Sequence, residues 1–254
     1  MKINCCAICG PGSVRVDNQD NIYVNGTYRK DVSDNTVFTY KCKTKKSGLF
    51  AVADGMGGGK HGELASLIAV EALSSKIKTQ EDFLQCLMKI NNDICLIAEQ
   101  KGSSEMGTTF AGLNINGDYA DLINIGDSRI FLYKNGSLLQ LSYDHTAVQQ
   151  MVDNGVIEKS DVANHKDKHT LTQYLGIPES EFLIEPYEKQ IDVNTGDVYL
   201  LCSDGLTDML GDKDIENILN DSQDINSWIK ALYTNAIKNG GKDNISILLI
   251  EITK

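Results

Sequence analysis

Asp20, Asp54, Asp127, Asp204 and Asp243 stand beside apolar, strand-forming runs, where aspartate is a poor fit. Asp54 closes Leu49-Phe50-Ala51-Val52-Ala53 and opens onto Gly55-Met56-Gly57-Gly58-Gly59. Asp204 closes the run through Cys202 and is followed by Gly205, and Asp127 follows Gly126 at the end of another apolar run. Asp20 precedes Ile22-Tyr23-Val24, while Asp243 lies between Gly240-Gly241 and the final strand. Singly, each reads as a turn residue. Together they mark strand ends that, if they converge on one rim, repel one another unless cations neutralise them. Hard oxygen ligands with no nearby His or Cys favour Mg²⁺ or Mn²⁺ over Zn²⁺. Two such ions roughly 3.5–4 Å apart activate a bridging water and clamp phosphoryl oxygens in line. Arg15, just upstream of Asp20, offers a guanidinium fork for two phosphate oxygens, although its type alone fits a surface arginine better. The four histidines, His61, His145, His165 and His169, form neither an HxxxH nor an HExxH pattern. His61 reads as a surface residue at a helix start, and His165 and His169 as members of a solvated loop.

Positioning these groups requires a particular order of elements. Short strands are expected at 22–24, 37–40 and 49–53, then helices at 63–77 and 81–100. Leu64, Leu67, Ile68 and Ala72 form the apolar face of the first helix. Phe83, Leu87, Ile90, Ile94 and Ile97 form that of the second, which Gly102 ends. Strands follow at 108–115, 119–125, 130–133 and 138–141, joined by Asn116-Gly117-Asp118 and Asn135-Gly136 hairpins. A helix at 147–154 precedes a polar flap at 157–174. Strands at 183–187 and 198–202, helices at 214–219 and 225–238, and a strand at 245–252 complete the chain. Strands arrive in runs and helices in pairs, so the expected class is α+β: a sandwich of two antiparallel β-sheets flanked on both sides by pairs of antiparallel helices, a four-layer αββα arrangement. The whole span, 1–254, is expected to be one catalytic domain.

Composition narrows the partners. Hydrophobic residues make up 41% of the chain and charged residues 23%, enough for a core and unlike a disordered linker. A net charge of −11 argues against nucleic acid and anionic membranes, and it demands cations if the ligand is itself an anion. No apolar run approaches transmembrane length, and the start is too short for a signal peptide. Seven cysteines in unlike contexts indicate reduced thiols and a cytoplasmic setting. Cys6 and Cys9 form a single CxxC without a second pair, which fits strand residues near the terminus better than a zinc or redox site. No heptad run suggests obligate assembly, so a monomer is expected.

Six motifs in order carry a resemblance: Arg15 with Asn18-Gln19-Asp20; Asp54-Gly55-Met56-Gly57-Gly58; Met106-Gly107-Thr108-Thr109; Gly126-Asp127-Ser128-Arg129; Ser203-Asp204-Gly205-Leu206; and Gly241-Lys242-Asp243-Asn244. The chain resembles the metal-dependent protein phosphatases of the PPM family (protein phosphatase type 2C). The resemblance implies a Mn²⁺- or Mg²⁺-dependent hydrolase acting on phosphoserine and phosphothreonine in proteins, by direct attack of a metal-bridging water. It implies that Asp54 bridges two ions, that the Gly55 carbonyl binds the first, and that Asp204 and Asp243 hold the second. Asp127 with Asp204 would hold a third, weaker ion. Asp20 would act through metal-bound water, Gln19 and Asn244 would support the ligands from behind, and Arg15 would grip the phosphate. Met56 stands where animal members carry a proton-donating His, which looks like the bacterial form and leaves the general acid unassigned. Gln19 replaces the Glu of many relatives. A cognate serine/threonine kinase is the implied opponent. The alternative is a catalytically silent regulatory binding protein on the same fold; a calcium-binding module lacks the DxDxDG loop it would need.

Overall fold

The computed structural model describes residues 1–56, 61–79, 83–103, 105–221 and 224–254, with side chains of the first helix described through position 74. Gly57, Gly58 and Gly59 of the glycine motif, and the expected helix start at Glu81, lie outside these residues. In chain order the strands are β1 (Lys2–Gly10), β2 (Asp20–Val24), β3 (Thr27–Tyr28), β4 (Phe38–Lys45), β5 (Ser47–Met56), β6 (Gly107–Thr108), β7 (Phe110–Asn116), β8 (Tyr119–Ile125), β9 (Arg129–Lys134), β10 (Ser137–Gln140), β11 (Tyr187–Asp192), β12 (Val198–Cys202) and β13 (Ile245–Thr253). The helices are α1 (Gly62–Thr79), α2 (Phe83–Lys101), α3 (Ala147–Asp153), α4 (Asp204–Thr207), α5 (Asp212–Asp221) and α6 (Ile225–Lys238), with a 3₁₀ turn at Lys159–Asn164.

Two antiparallel sheets face each other. One runs β10-β9-β12-β13-β1-β4; the other runs β11-β8-β7-β5-β2-β3, with β6 paired to β5. Ile22, Phe50, Val52, Leu113, Tyr199, Leu201, Leu248 and Ile250 fill the space between them. A second apolar layer joins α1 and α2 to the β5 sheet, and a third joins α5 and α6 to the β13 sheet. The expected four layers are therefore present. Leu87, Ile90 and Ile94 of α2 are fully buried, each contributing roughly 1.5–3 kcal/mol. The Asn135-Gly136 turn has positive φ at both positions (53° and 81°), as a two-residue hairpin of the right twist demands.

Several elements depart from the sequence expectation. The strand expected at 183–187 is β11, at Tyr187–Asp192: Phe182 and Leu183 are solvent-exposed, and the strand that pairs β8 carries Glu188, Lys189 and Gln190 outward. The strand at 108–115 is split into β6 and β7, because Thr109 turns back to bond Asp54. β1 is a full central strand; its residues from Cys5 to Gly10 are buried, so it shows no alternation to read. Helix α1 presents Ala65, Ala69, Val70 and Leu73 to the core, while Leu64, Leu67, Ile68 and Ala72 are only partly buried. Small alanines let α1 lie close on β5.

Candidate active site

The site grows from the register of two neighbouring strands. In the β2–β5 pairing, Asp20 lies directly opposite Asp54. Like charges in that position are destabilising. Asp54 is fixed through its backbone: its carbonyl accepts from Thr109 N (2.9 Å) and Thr108 Oγ1 (2.9 Å), and its N–H donates to Thr109 Oγ1 (3.1 Å). Thr109 Oγ1 in turn lies 2.7 Å from Ser128 Oγ, joining the Met106–Thr109 and Gly126–Arg129 motifs. Arg129 forks onto Asp144 (2.6–3.1 Å), which makes it a structural arginine.

The opposite sheet supplies the rest. Ser203 Oγ donates to Asp20 Oδ2 at 2.7 Å and accepts from Ser246 N at 3.0 Å, linking the two sheets beneath the acidic rim. Asp204, expected to end a strand, opens the short helix α4 instead. A Cβ on Gly205 would sit 1.9 Å from the Asn244 carbonyl oxygen, so only glycine lets α4 and β13 approach this closely. Asn244 accepts from Gln19 N (2.8 Å) and donates to the carbonyls of Asp17 (2.9 Å) and Pro11 (3.2 Å). The loop carrying Arg15 and Gln19 is thereby stitched to the segment carrying Asp243. Buried Arg29 ties the same loop from beneath, donating to the Asn18 and Asp20 carbonyls.

A cleft of about 690 Å³ results, lined by Arg15, Gln19, Asp54, Gly55, Met56, Asp127, Asp204 and Asp243 together with Thr109, His169, Leu171, Asp208, Met209 and Lys242. Asp20 lies beneath, fully buried, and the structure brings together every expected ligand. Burial, followed by the neighbouring carboxylates, pushes Asp54 and Asp127 well above the usual range. Burial pushes Asp20 to about 7, against the hydrogen bond from Ser203. Arg15 is half exposed and donates to Asp243 at 2.7 Å.

His169 changes the picture drawn from sequence. It reaches from the flap into the cleft, its Nδ1 at 3.3 Å from Asp204 and its Nε2 at 3.2 Å from Asp208, while Lys168 pairs with Asp208 at 2.9 Å. Hydrogen bonds to these two carboxylates hold its imidazolium charged, up to about 10. One ligand atom each from Asp127, His169 and Asp204 lie within 4.8 Å of one another. The solvated-loop reading therefore holds for His165, which bonds locally to Asp167, and not for His169. His61 has positive φ (73°), and its carbonyl accepts the first bonds of α1; it is not among the cleft residues. Asp208 lies outside the six motifs, and Lys242 stands inside one only as the neighbour of Asp243, so neither has a role assigned from sequence although both line the cleft.

This donor set fits divalent cations. Asp20 Oδ1 is buried without a hydrogen-bond partner, Asp54 is crowded by Asp20, Asp204, Asp127 and Asp243, and the donors are hard oxygens with one imidazole at the edge.

A family model described as Protein phosphatase 2C matches residues 23–249. The serine/threonine phosphatase Stp of Listeria welshimeri is 36% identical over 214 residues, covering 80% of this chain and 84% of that protein. The crystal structure of the Mycobacterium tuberculosis serine/threonine phosphatase PstP/Ppp superposes with a TM-score of 0.82 at 28% identity, covering 100% of both chains. A structure of the PstP catalytic domain in complex with 2 manganese ions gives a TM-score of 0.79 at 28% identity, again over 100% of both chains.

Proposed function

Because the chain belongs to the protein phosphatase 2C family, we propose that its acidic cleft is the hydrolytic centre of a metal-dependent phosphatase acting on phosphoserine and phosphothreonine in proteins. The chain is a metal-dependent serine/threonine phosphatase. The observation that carries the residue assignment is the facing pair Asp20–Asp54, ringed by Asp127, Asp204 and Asp243.

Asp54, Asp204, Asp243 and the Gly55 carbonyl would hold two Mn²⁺ or Mg²⁺ ions, and Asp127 with Asp204 a third, which His169 would join on giving up its imidazolium proton. When bound, the ions cancel the carboxylate charge and supply Lewis acidity and an activated water for attack on phosphorus. Asp20 faces this centre with an oxygen free to accept a proton or a hydrogen bond. Arg15 uses one Nη for Asp243 and has further N–H donors for the phosphate oxygens. Lys242, exposed at the cleft wall, adds positive charge on the side from which an anion enters. Met56 lines the cleft without a proton to give, so the leaving group takes its proton elsewhere. The Gln19 carbonyl accepts from Gly55 N (3.2 Å) and Ser66 Oγ (2.6 Å), holding the end of β5 in place.

The flap reaches the cleft through His169 and Leu171, which places it among the segments that would meet a substrate protein. Bacterial relatives and cysteines not joined as disulfides support a cytoplasmic bacterial enzyme; on this reading its opponent is a serine/threonine kinase and it works as a monomer. Hydrolysis of a phosphothreonine peptide with and without Mn²⁺ tests the reading. Metal-dependent release of phosphate is expected. Mn²⁺ binding without any turnover would instead favour the silent regulatory alternative.

A further inference from the structure

Cys5 on β1 and Cys42 on β4 are register partners, directly opposite each other in an antiparallel pair. Strand partners of this kind hold their Cα atoms roughly 4.5–5.5 Å apart. That range lies inside the roughly 4.4–6.8 Å that a disulfide spans. Cys5 belongs to the apolar layer between the sheets, and Cys42 packs against that same layer. Cys5 is buried between the sheets, whereas Cys42 is half-buried on a strand at the sheet edge. Lys41 and Lys43 flank Cys42 and are exposed. We propose that Cys5 and Cys42 form an oxidisable dithiol, in which hydrogen peroxide closes a disulfide between β1 and the edge strand β4.

The two sulfurs have different parts in this chemistry. The Cys5 hydrogen bond pulls the Cys42 thiol down, while burial pushes Cys5, Cys6, Cys9, Cys95 and Cys202 up. Cys42 is thus the accessible sulfur that ionises most readily, and Cys5 is the resolving group behind it. The Cys42 thiolate attacks one peroxide oxygen. The O–O bond breaks, Cys42 becomes a sulfenic acid, and the departing hydroxide takes up the proton lost by Cys42. The Cys5 sulfur then attacks the Cys42 sulfur. The S–S bond forms, the S–O bond breaks, and the hydroxyl leaves as water with the Cys5 proton. Two thiols and one peroxide give one disulfide and two waters. Neighbouring thiols are set up differently: Cys6 points to the other face, where its Sγ lies 3.5 Å from Asn226 Oδ1, and Cys9 is held by Asn18 Nδ2 at 3.3 Å. The link would close a covalent ring around positions 5–42, the segment that carries Arg15, Gln19, Asp20 and Arg29.

The test treats the metal-free full chain with hydrogen peroxide, alkylates the remaining thiols and maps peptides without reduction. The expected result is a single link between Cys5 and Cys42, with two fewer alkylated cysteines than in the untreated protein. The link should persist in Cys6→Ser and be absent from Cys42→Ser, a change at a partly buried position on the edge strand. The linked form should melt roughly 5 °C or more above the reduced form. A link from Cys42 to Cys6 or Cys9, Cys42 driven to sulfinic acid without any link, or full alkylation after peroxide would each overturn the proposal. An unchanged melting temperature in linked protein would overturn the ring's stabilising effect.

Discussion

Asp54 has its backbone held by Thr108 and Thr109, so its charge can be removed without removing its place in the strand. Asp54→Asn is expected to lower kcat/KM by on the order of 10³ and to weaken Mn²⁺ binding. Without metal, the same variant should melt at or above the wild-type temperature, because it relieves the repulsion with Asp20; a lower value in a melting curve would contradict that account. His169→Ala should weaken one Mn²⁺ site by about 10–100-fold and leave the others in place, which calorimetric titration can resolve. His145 is pushed below its ordinary 6.5 by burial, which outweighs the contact with the Gly126 carbonyl. Its folded form is neutral, so as pH falls below about 6.5 the unfolded chain gains a proton that the native chain resists. Stability is then lost on acidification toward the folded value. His145→Gln should flatten that loss when urea midpoints are compared between about pH 7 and pH 5. The five aspartates were legible because an acidic residue beside an apolar strand is chemically out of place. His169 was not, since a polar flap has the same composition whether it stands in solvent or folds onto carboxylates.

Among the elements, α4 and the start of β13 are held together by the missing side chain of Gly205. Gly205→Ala forces the Asn244 carbonyl aside and shifts its neighbour Asp243 with it. The expected cost is about 2 kcal/mol or more in stability, with weaker Mn²⁺ binding, read from denaturant titration and calorimetry. Element order and the α2 stripe were legible from periodicity, because one face of α2 meets the core and the other meets water. β1 and β11 were harder for opposite reasons. β1 is buried on both faces and shows no alternation, whereas β11 is an edge strand whose outward side is charged. The short helix α4 gave no periodic signal at all, being a single turn.

For the whole molecule, the acidic rim sets a pH-dependent stability opposite in sign to that of His145. Carboxyls raised by burial, Asp20 to about 7, bind protons more tightly when folded. Their contribution is complete below the unfolded carboxyl range and is lost as pH rises through the folded values. Metal-free protein should therefore gain more from Mn²⁺ at pH 8 than at pH 6, seen as a larger rise in melting temperature; equal rises would refute it. Ser203 extends this coupling through the molecule, since its one hydroxyl touches Asp20 on one sheet and Ser246 on the other. A nascent chain with only one sheet assembled has half a set of ligands and no cleft. On the proposed assignment, hydrolysis waits until β13 has joined its sheet, and a copy lacking that strand is expected to be inert toward phosphoproteins.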